Sequence, residues 1–145
     1  MRRADADPRR IVAAFNEAGA EFVVIGGVAA LAHGVQRVTR DFDLLIEPTK
    51  ANCRRAIDAL VSLRAEEYLP QSRKWMRVSE EASPDRLLSQ PRFFDSDAGG
   101  VDICNAIDGV PTWGEARAGS IEVSAVGQAF RVLDKDTLIR SKLAA

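Results

Sequence analysis

Two aspartates separated by a single apolar residue, Asp41 and Asp43, are the residues whose type and spacing point most directly to chemistry. Residues two apart on a strand share a face, so both carboxylates point one way while Phe42 and Leu44 point into apolar packing. Mg²⁺ is usually held by one or two carboxylates together with phosphate oxygens. The pattern therefore predicts a magnesium site, and two such ions can assist a displacement at phosphorus.

A glycine pair, Gly26 and Gly27, follows the apolar run at 22–25 and precedes the two aspartates by thirteen residues. Glycine allows unusual backbone torsions and close approach of a ligand. A helix that begins after the pair would point its N–H groups at a phosphate. Asp102, within the apolar run at 101–104, is the best candidate for a third carboxylate, because an acidic residue in an apolar strand needs a cation or a hydrogen-bonded partner.

The segment at 25–34, followed by residues 37–44, resembles the nucleotidyltransferases of the DNA polymerase β-like superfamily. Their hallmark is an apolar residue, Gly-Gly or Gly-Ser, a spacer, and Asp-apolar-Asp or Asp-apolar-Glu. The sequence is most similar to the minimal and AbiEii-type members, which include toxins of toxin–antitoxin and phage-defence systems. The similarity is strong over residues 21–60 and returns at Asp102 and at 138–145, which resembles a Lys-Leu motif.

The resemblance implies an enzyme that transfers a nucleoside monophosphate from a nucleoside triphosphate to a hydroxyl and releases pyrophosphate. Asp41, Asp43 and Asp102 would be the catalytic residues and would hold two Mg²⁺ ions. Asp102 would also help to activate the acceptor hydroxyl. Gly26 and Gly27 would contact the triphosphate through backbone N–H groups.

Three further residues are expected to bind the nucleotide. By the resemblance, Lys142 would approach the triphosphate. Gly27 stands where many active members have serine, so Thr39 would have to supply the missing hydroxyl. Arg40, together with Arg37, flanks the acidic strand and could steer phosphate; the alternative is an ordinary solvated arginine.

The acceptor stays open between a tRNA end, a protein hydroxyl and a small molecule such as an aminoglycoside. An RNA acceptor would require a local basic patch, for which the basic residues between 54 and 77 are the candidates. The resemblance also makes a toxin–antitoxin component with an antitoxin partner possible. AbiEii-type members usually continue past the position of Ala145 with helices that shape the acceptor site. The alternative function is therefore a non-catalytic nucleotide-binding or interaction module with the nucleotidyltransferase fold.

Hydrophobic periodicity and capping residues predict the elements that would position these side chains. Helices are expected at 8–19, 28–33, 50–63, 86–88, 112–119 and after Asp134. Strands are expected at 22–25, 41–46, 74–79, 92–94, 101–107, 121–124 and 129–132. Their order predicts an α+β fold with α/β-type layers, in which a central mixed sheet is flanked by helices. By the resemblance, this is a nucleotidyltransferase fold. We expect it to form a single domain that spans residues 1–145.

Other residues whose side chains could take part in chemistry are expected to have structural roles. Asp97 and Asp108 stand beside turn residues and are expected to form Asx-type turns. Trp75 and Trp113 could stack a base, but a role in the core is expected for each. His33 is expected at a helix C-terminus, where partial positive charge suits the helix dipole.

Composition limits the class of protein. The chain has 145 residues, of which 46% are apolar and 28% charged, so disorder is excluded and one domain is expected. Twenty basic residues against 21 acidic ones exclude binding to nucleic acid through bulk charge, though not through a local patch. The sequence has no transmembrane run, no signal peptide and only two cysteines, Cys53 and Cys104, which we expect to be buried. These features predict a cytoplasmic protein that has no membrane partner.

Overall fold

A computed structural model of the protein describes residues 5–26, 41–88, 91–125 and 127–144. The strands are β1 Phe22–Ile25, β2 Asp41–Ile46, β3 Glu66–Leu69, β4 Lys74–Arg77, β5 Arg92–Ser96, β6 Gly99–Cys104, β7 Ser120–Ala125 and β8 Gln128–Leu133. The helices are α1 Pro8–Glu17, α2 Lys50–Ser62, α3 Trp113–Ala118 and α4 Lys135–Ala144, with a 3-10 helix at Pro84–Leu87. Among them, none combines the length and apolar character needed to span a bilayer.

All eight strands belong to one mixed sheet in the order β4-β3-β5-β6-β2-β1-β8-β7. The pairs β2–β6 and β1–β8 are parallel, and the remaining pairs are antiparallel. The two strands that carry the predicted acidic residues, β2 and β6, are therefore neighbours in the middle of the sheet.

The predicted fold class is wrong. A nucleotidyltransferase fold with a central mixed sheet flanked by helices was expected, whereas the described residues form a large eight-stranded sheet rather than a compact core of that kind. The sheet is extended by β3, which no pattern predicted because it begins with Glu66 and Glu67. Glu67 is nonetheless buried, since Arg86 and Arg92 pair with its carboxylate. Once β3 is in place, it connects β4 to β5.

Several local predictions are confirmed. The strands at 22–25 and 41–46 have the expected bounds. Thr49 caps α2 by accepting the backbone N–H of Asn52 at 3.1 Å, and Asp134 accepts that of Thr137 at the start of α4 at 2.8 Å. Asp7 stands at the N-cap of α1, but its side chain makes no capping hydrogen bond. The helix predicted at 28–33 lies outside the described residues.

Apolar side chains form a core on each face of the sheet. The larger core packs α1 and α2 against one face and contains Phe15, Phe42, Leu44, Leu60 and Val101 among others. The smaller core lies on the opposite face, beneath α3 and α4, and includes Val23, Ile25, Leu45, Ala116 and Leu133. Cys53 is buried as predicted, whereas Cys104 is only partly buried. Alternation along β2 and β6 therefore decides which side chains face α2 and which face the smaller core.

Asn52 holds the ends of β1 and β2 in place from α2. Its side chain is fully buried. Its Oδ1 accepts the backbone N–H of Glu21 at 2.7 Å, and its Nδ2 donates to the carbonyls of Glu21 and Glu47 at 2.9 and 3.0 Å. Because Glu21 precedes β1 and Glu47 follows β2, these bonds tie together β1, which leads into Gly26, and β2, which carries Asp43.

Candidate functional site

The acidic residues of β2 and β6 share one face of the sheet. In the parallel β2–β6 pair, Asp43 lies directly opposite Asp102, and Asp41 lies opposite Gly100. Phe42 on β2 is fully buried on the other face, whereas the three aspartates are half-buried. The structure therefore brings the backbone positions of the three predicted carboxylates together on adjacent strands.

Gly26, directly after β1, lies against Asp43. Its φ is +73°, a conformation that L side chains rarely adopt. A Cβ at this position would overlap the Oδ2 atom of Asp43. Since Ile25 is the register partner of Asp43, the strand pairing itself brings Gly26 next to this carboxylate. Glycine is required here to admit the Asp43 side chain, in addition to its expected contact with the triphosphate.

A cleft of about 320 Å³ opens beside this contact. Gly26, Asp43 and Lys142 line it together, so three residues that are far apart in the sequence meet in one place. Asp108 and Ser141 also line the cleft, but neither was predicted as a site residue. The cleft therefore brings two carboxylates, those of Asp43 and Asp108, and the ammonium group of Lys142 together at the end of β1.

Two glycines allow α4 to approach closely enough for Lys142 to reach the cleft. A Cβ on Gly119 would overlap the Oγ1 atom of Thr137, and a Cβ on Gly109 would lie 2.9 Å from the carbonyl oxygen of Arg140. Asp108 precedes Gly109, whose φ is +76°. Asp108 and Gly109 lie in a turn that is closed by a hydrogen bond from the Val110 N–H to the Ile107 carbonyl, and this turn brings Asp108 to the cleft.

The pKa of the Cys104 thiol is affected by the negative charge of the acidic face. Burial, together with the smaller effects of the nearby Asp43 and Asp102 carboxylates, raises the pKa of this thiol to about 11. The thiol is therefore neutral at physiological pH. Both carboxylates act on this one side chain, as expected when Asp43 and Asp102 are direct neighbours across the strand pair.

The acidic face offers carboxylate oxygens, the ligand type that hard cations prefer. Within the described part of the chain, no group of three or more His, Cys, Asp or Glu side chains is arranged to hold a metal ion. Magnesium sites in phosphoryl-transfer proteins commonly use one or two carboxylates and take their other ligands from substrate phosphates and water. Asp43 and Asp102, which lie opposite each other, are two carboxylates of this type, and Asp41 lies two residues before Asp43 on the same strand.

Some predicted residues cannot be related to this geometry. Gly27, Thr39 and Arg40 lie outside the described residues, as do Arg37 and His33. Trp113 packs against the smaller core, which confirms its expected role. Trp75 is half-buried and its ring contacts that of Tyr68, with 5.2 Å between centroids.

No protein-family model matches the chain, and no curated protein matches it.

Proposed function

We propose that this protein is a Mg²⁺-dependent nucleotidyltransferase that moves a nucleoside monophosphate from a nucleoside triphosphate to an acceptor hydroxyl. The observation that carries the proposal is the β2–β6 register, in which Asp43 lies opposite Asp102 while Gly26 lies against Asp43. The proposal rests on this site and not on the fold, because function follows from the residues of a site and one chemistry recurs on different folds.

Each residue has a role that its position supports. Asp41, Asp43 and Asp102 would hold the magnesium, which supplies positive charge to the phosphate oxygens. Lys142, in the cleft with Asp43, would bind the outer phosphates as a second positive charge. In the reaction the acceptor oxygen bonds to the α-phosphorus, the bond to pyrophosphate breaks, and Asp102 accepts the hydroxyl proton.

The test is labelling with nucleoside triphosphates that carry a radioactive α-phosphate, in the presence of Mg²⁺ and pooled RNA, protein or aminoglycoside acceptors. Asp43→Asn and Asp102→Asn each keep the side-chain volume but remove a charge that metal catalysis requires. We expect each to reduce labelling at least about 100-fold, since metal ions contribute several kcal/mol to such reactions. Chelation of Mg²⁺ should have the same effect, and added Mg²⁺ should restore labelling.

Asp58→Asn is the matched control, because Asp58 lies on α2 in an exposed ion pair with Arg54. It should label acceptors like the wild-type protein. If the Asp43 and Asp102 variants label as well as Asp58→Asn does, the proposal is wrong.

A second function is a nucleotide-binding module without catalysis. It is favoured by the absence, among the described residues, of a three-ligand group for a metal ion. Calorimetry distinguishes the two functions, since triphosphate binding with no release of pyrophosphate in the presence of any acceptor pool supports the module.

The proposal also includes a cytoplasmic location and a possible protein partner. Both cysteines are free thiols, which is typical of a reducing compartment such as the cytoplasm. An antitoxin-like partner stays a prediction from the sequence resemblance.

A further inference from the structure

Three aromatic side chains lie in line with the carboxylates across the sheet. Phe93 on β5 is the register partner of Asp102. On the far side, Tyr68 on β3 is the register partner of Trp75 on β4. In the antiparallel β3–β5 pair, Glu67 lies opposite Phe94. Tyr68, the next residue on β3, is therefore beside Phe93, the residue that precedes Phe94 on β5. We call Phe93, Tyr68 and Trp75 the aromatic row.

The aromatic row lies on the same face as the acidic residues. Cross-strand partners share a face, so Phe93 lies on the side of Asp102. Phe94, the next residue, is buried with Val101 in the core on the other face. Phe93 keeps 38% of its surface exposed, and Tyr68 and Trp75 are half-buried. An exposed aromatic ring directly beside a carboxylate site is a surface that a ligand can cover.

The edge of the sheet beside the aromatic row is basic. Residues 70–77 include Arg73, Lys74 and Arg77 and no acidic residue, and all three basic side chains are exposed. No ion pair within the described residues involves any of them. Glu66 on β3 is the register partner of Arg77, and Asp95 on β5 is the register partner of Glu66; both carboxylates lie on the same face as the aromatic row, and each has contacts of its own within the chain. The charged side chains of the segment 70–77, which includes the edge strand β4, are therefore all basic, while the neighbouring strand β3 places Glu66 opposite Arg77.

We propose that the aromatic row and the basic edge bind single-stranded nucleic acid and direct its terminal hydroxyl to Asp102. Bases would stack on the rings, and phosphates would lie near Arg77, which shares the face of Trp75, and near Arg73 in the turn before β4. Adjacent strands lie about 4.7–4.9 Å apart, so β4 to β6 spans roughly 15 Å. That span accommodates two or three bases, the number that aromatic side chains on other sheet surfaces stack. The catalytic part of this inference rests on the proposed function.

Binding of a short labelled single-stranded oligoribonucleotide, followed by fluorescence anisotropy without Mg²⁺, tests the surface. Phe93→Ala should weaken binding about 5- to 150-fold, the range found for loss of one stacking ring. Met76→Ala is the matched control, because Met76 is 43% exposed on β4 but pairs with the buried Glu67 on the opposite face. It should bind like the wild-type protein. Urea unfolding of both variants checks that each is folded.

The salt dependence gives a second readout that a merely structural role would not change. Arg77→Gln should reduce the slope of log affinity against log salt by about 0.7, the value for one phosphate contact on a single strand. Arg9→Gln, an exposed change on α1, should leave the slope unchanged. If Phe93→Ala binds as tightly as Met76→Ala, or if duplex RNA binds as tightly as the single strand, the aromatic row is not the binding surface.

The two proposals can fail separately. Oligonucleotide binding that depends on Phe93, without any labelling of acceptors, would support the surface and overturn the transferase. Labelling of a protein or small molecule by a chain that does not bind the oligonucleotide would support the transferase and overturn the surface.

Discussion

Gly26 occupies a position that requires glycine for two independent reasons. Its φ of +73° strains any residue with a Cβ, and the space that the Cβ would fill already holds the Asp43 carboxylate. Gly127 separates the two effects. Its φ is +77°, but nothing lies within 4 Å of the position that a Cβ would take. A comparison of the two glycines therefore measures how much of the requirement comes from Asp43.

We predict that Gly127→Ala destabilises the protein by about 1–2 kcal/mol, the usual strain of a left-handed conformation. Gly26→Ala should add about 1–3 kcal/mol more, because Asp43 must move, and it should also abolish the proposed transfer. Urea unfolding of both variants and of the wild-type protein provides the measurement. Equal destabilisation by the two substitutions would show that Asp43 does not depend on Gly26.

At the scale of elements, β3 depends on an ion triad. The Glu67 side chain is 4% exposed; its Oε1 accepts from Arg86 of the 3-10 helix at 2.8 Å, and its Oε2 from Arg92 of β5 at 2.9 Å. Arg92 also donates to the carbonyl of Arg86 at 3.0 Å. The triad satisfies a buried charge and ties three elements together. It is therefore a condition for β3 to join the sheet, and β3 in turn carries Tyr68 of the aromatic row.

Removal of Glu67 should cost much more than removal of an exposed carboxylate. We predict a loss of about 2–4 kcal/mol for Glu67→Ala, somewhat below the value for a fully buried pair because Arg86 and Arg92 are 34% and 20% exposed. Asp58→Ala, which breaks the exposed pair with Arg54, should cost about 0–1 kcal/mol. Chemical denaturation measures both losses. A loss for Glu67→Ala no larger than that for Asp58→Ala would contradict a structural role for the triad.

For the whole molecule, strand order sets which parts open first. The central strands β6, β2 and β1 each have a neighbour on both sides, whereas β4 and β7 lie at the edges. Central strands bury apolar side chains on both faces, as Leu44 and Leu45 of β2 do in the two cores. The site carboxylates therefore belong to the most constrained part of the sheet, and the basic edge to the least constrained part.

Hydrogen exchange should follow this order. We predict that the amides of β2, averaged over the strand, exchange at least about 100-fold more slowly than those of β4 and β7, since edge strands open by local fluctuations. Exchange measured by mass spectrometry on peptides from the folded protein provides the test. Protection of β4 equal to that of β2 would mean that another part of the chain covers this edge.

The sequence by itself determined the local features of this protein. Apolar runs and capping residues predicted β1, β2 and the start of α2, because alternation and N-caps act over a few residues. The Asp41–Asp43 spacing and the isolated Asp102 indicated an acidic face for the same reason. The sequence did not predict β3, because Glu67 has the character of a surface residue. Only the structure shows that two arginines from distant segments neutralise its charge.

The tertiary structure decided which of these features meet. Only strand pairing sets Asp43 opposite Asp102. Only the packing of α4 brings Lys142 to the cleft beside Gly26, and only the turn at 107–110 brings Asp108 there. Alignment of Phe93 with Asp102 depends on the β5–β6 register, which sequence patterning leaves open. Contacts between segments far apart in the chain leave almost no local signature, because each side chain obtains its partner from elsewhere in the fold. The size of the sheet was mispredicted for that reason, while the chemistry of its central strands could be proposed from the residues alone.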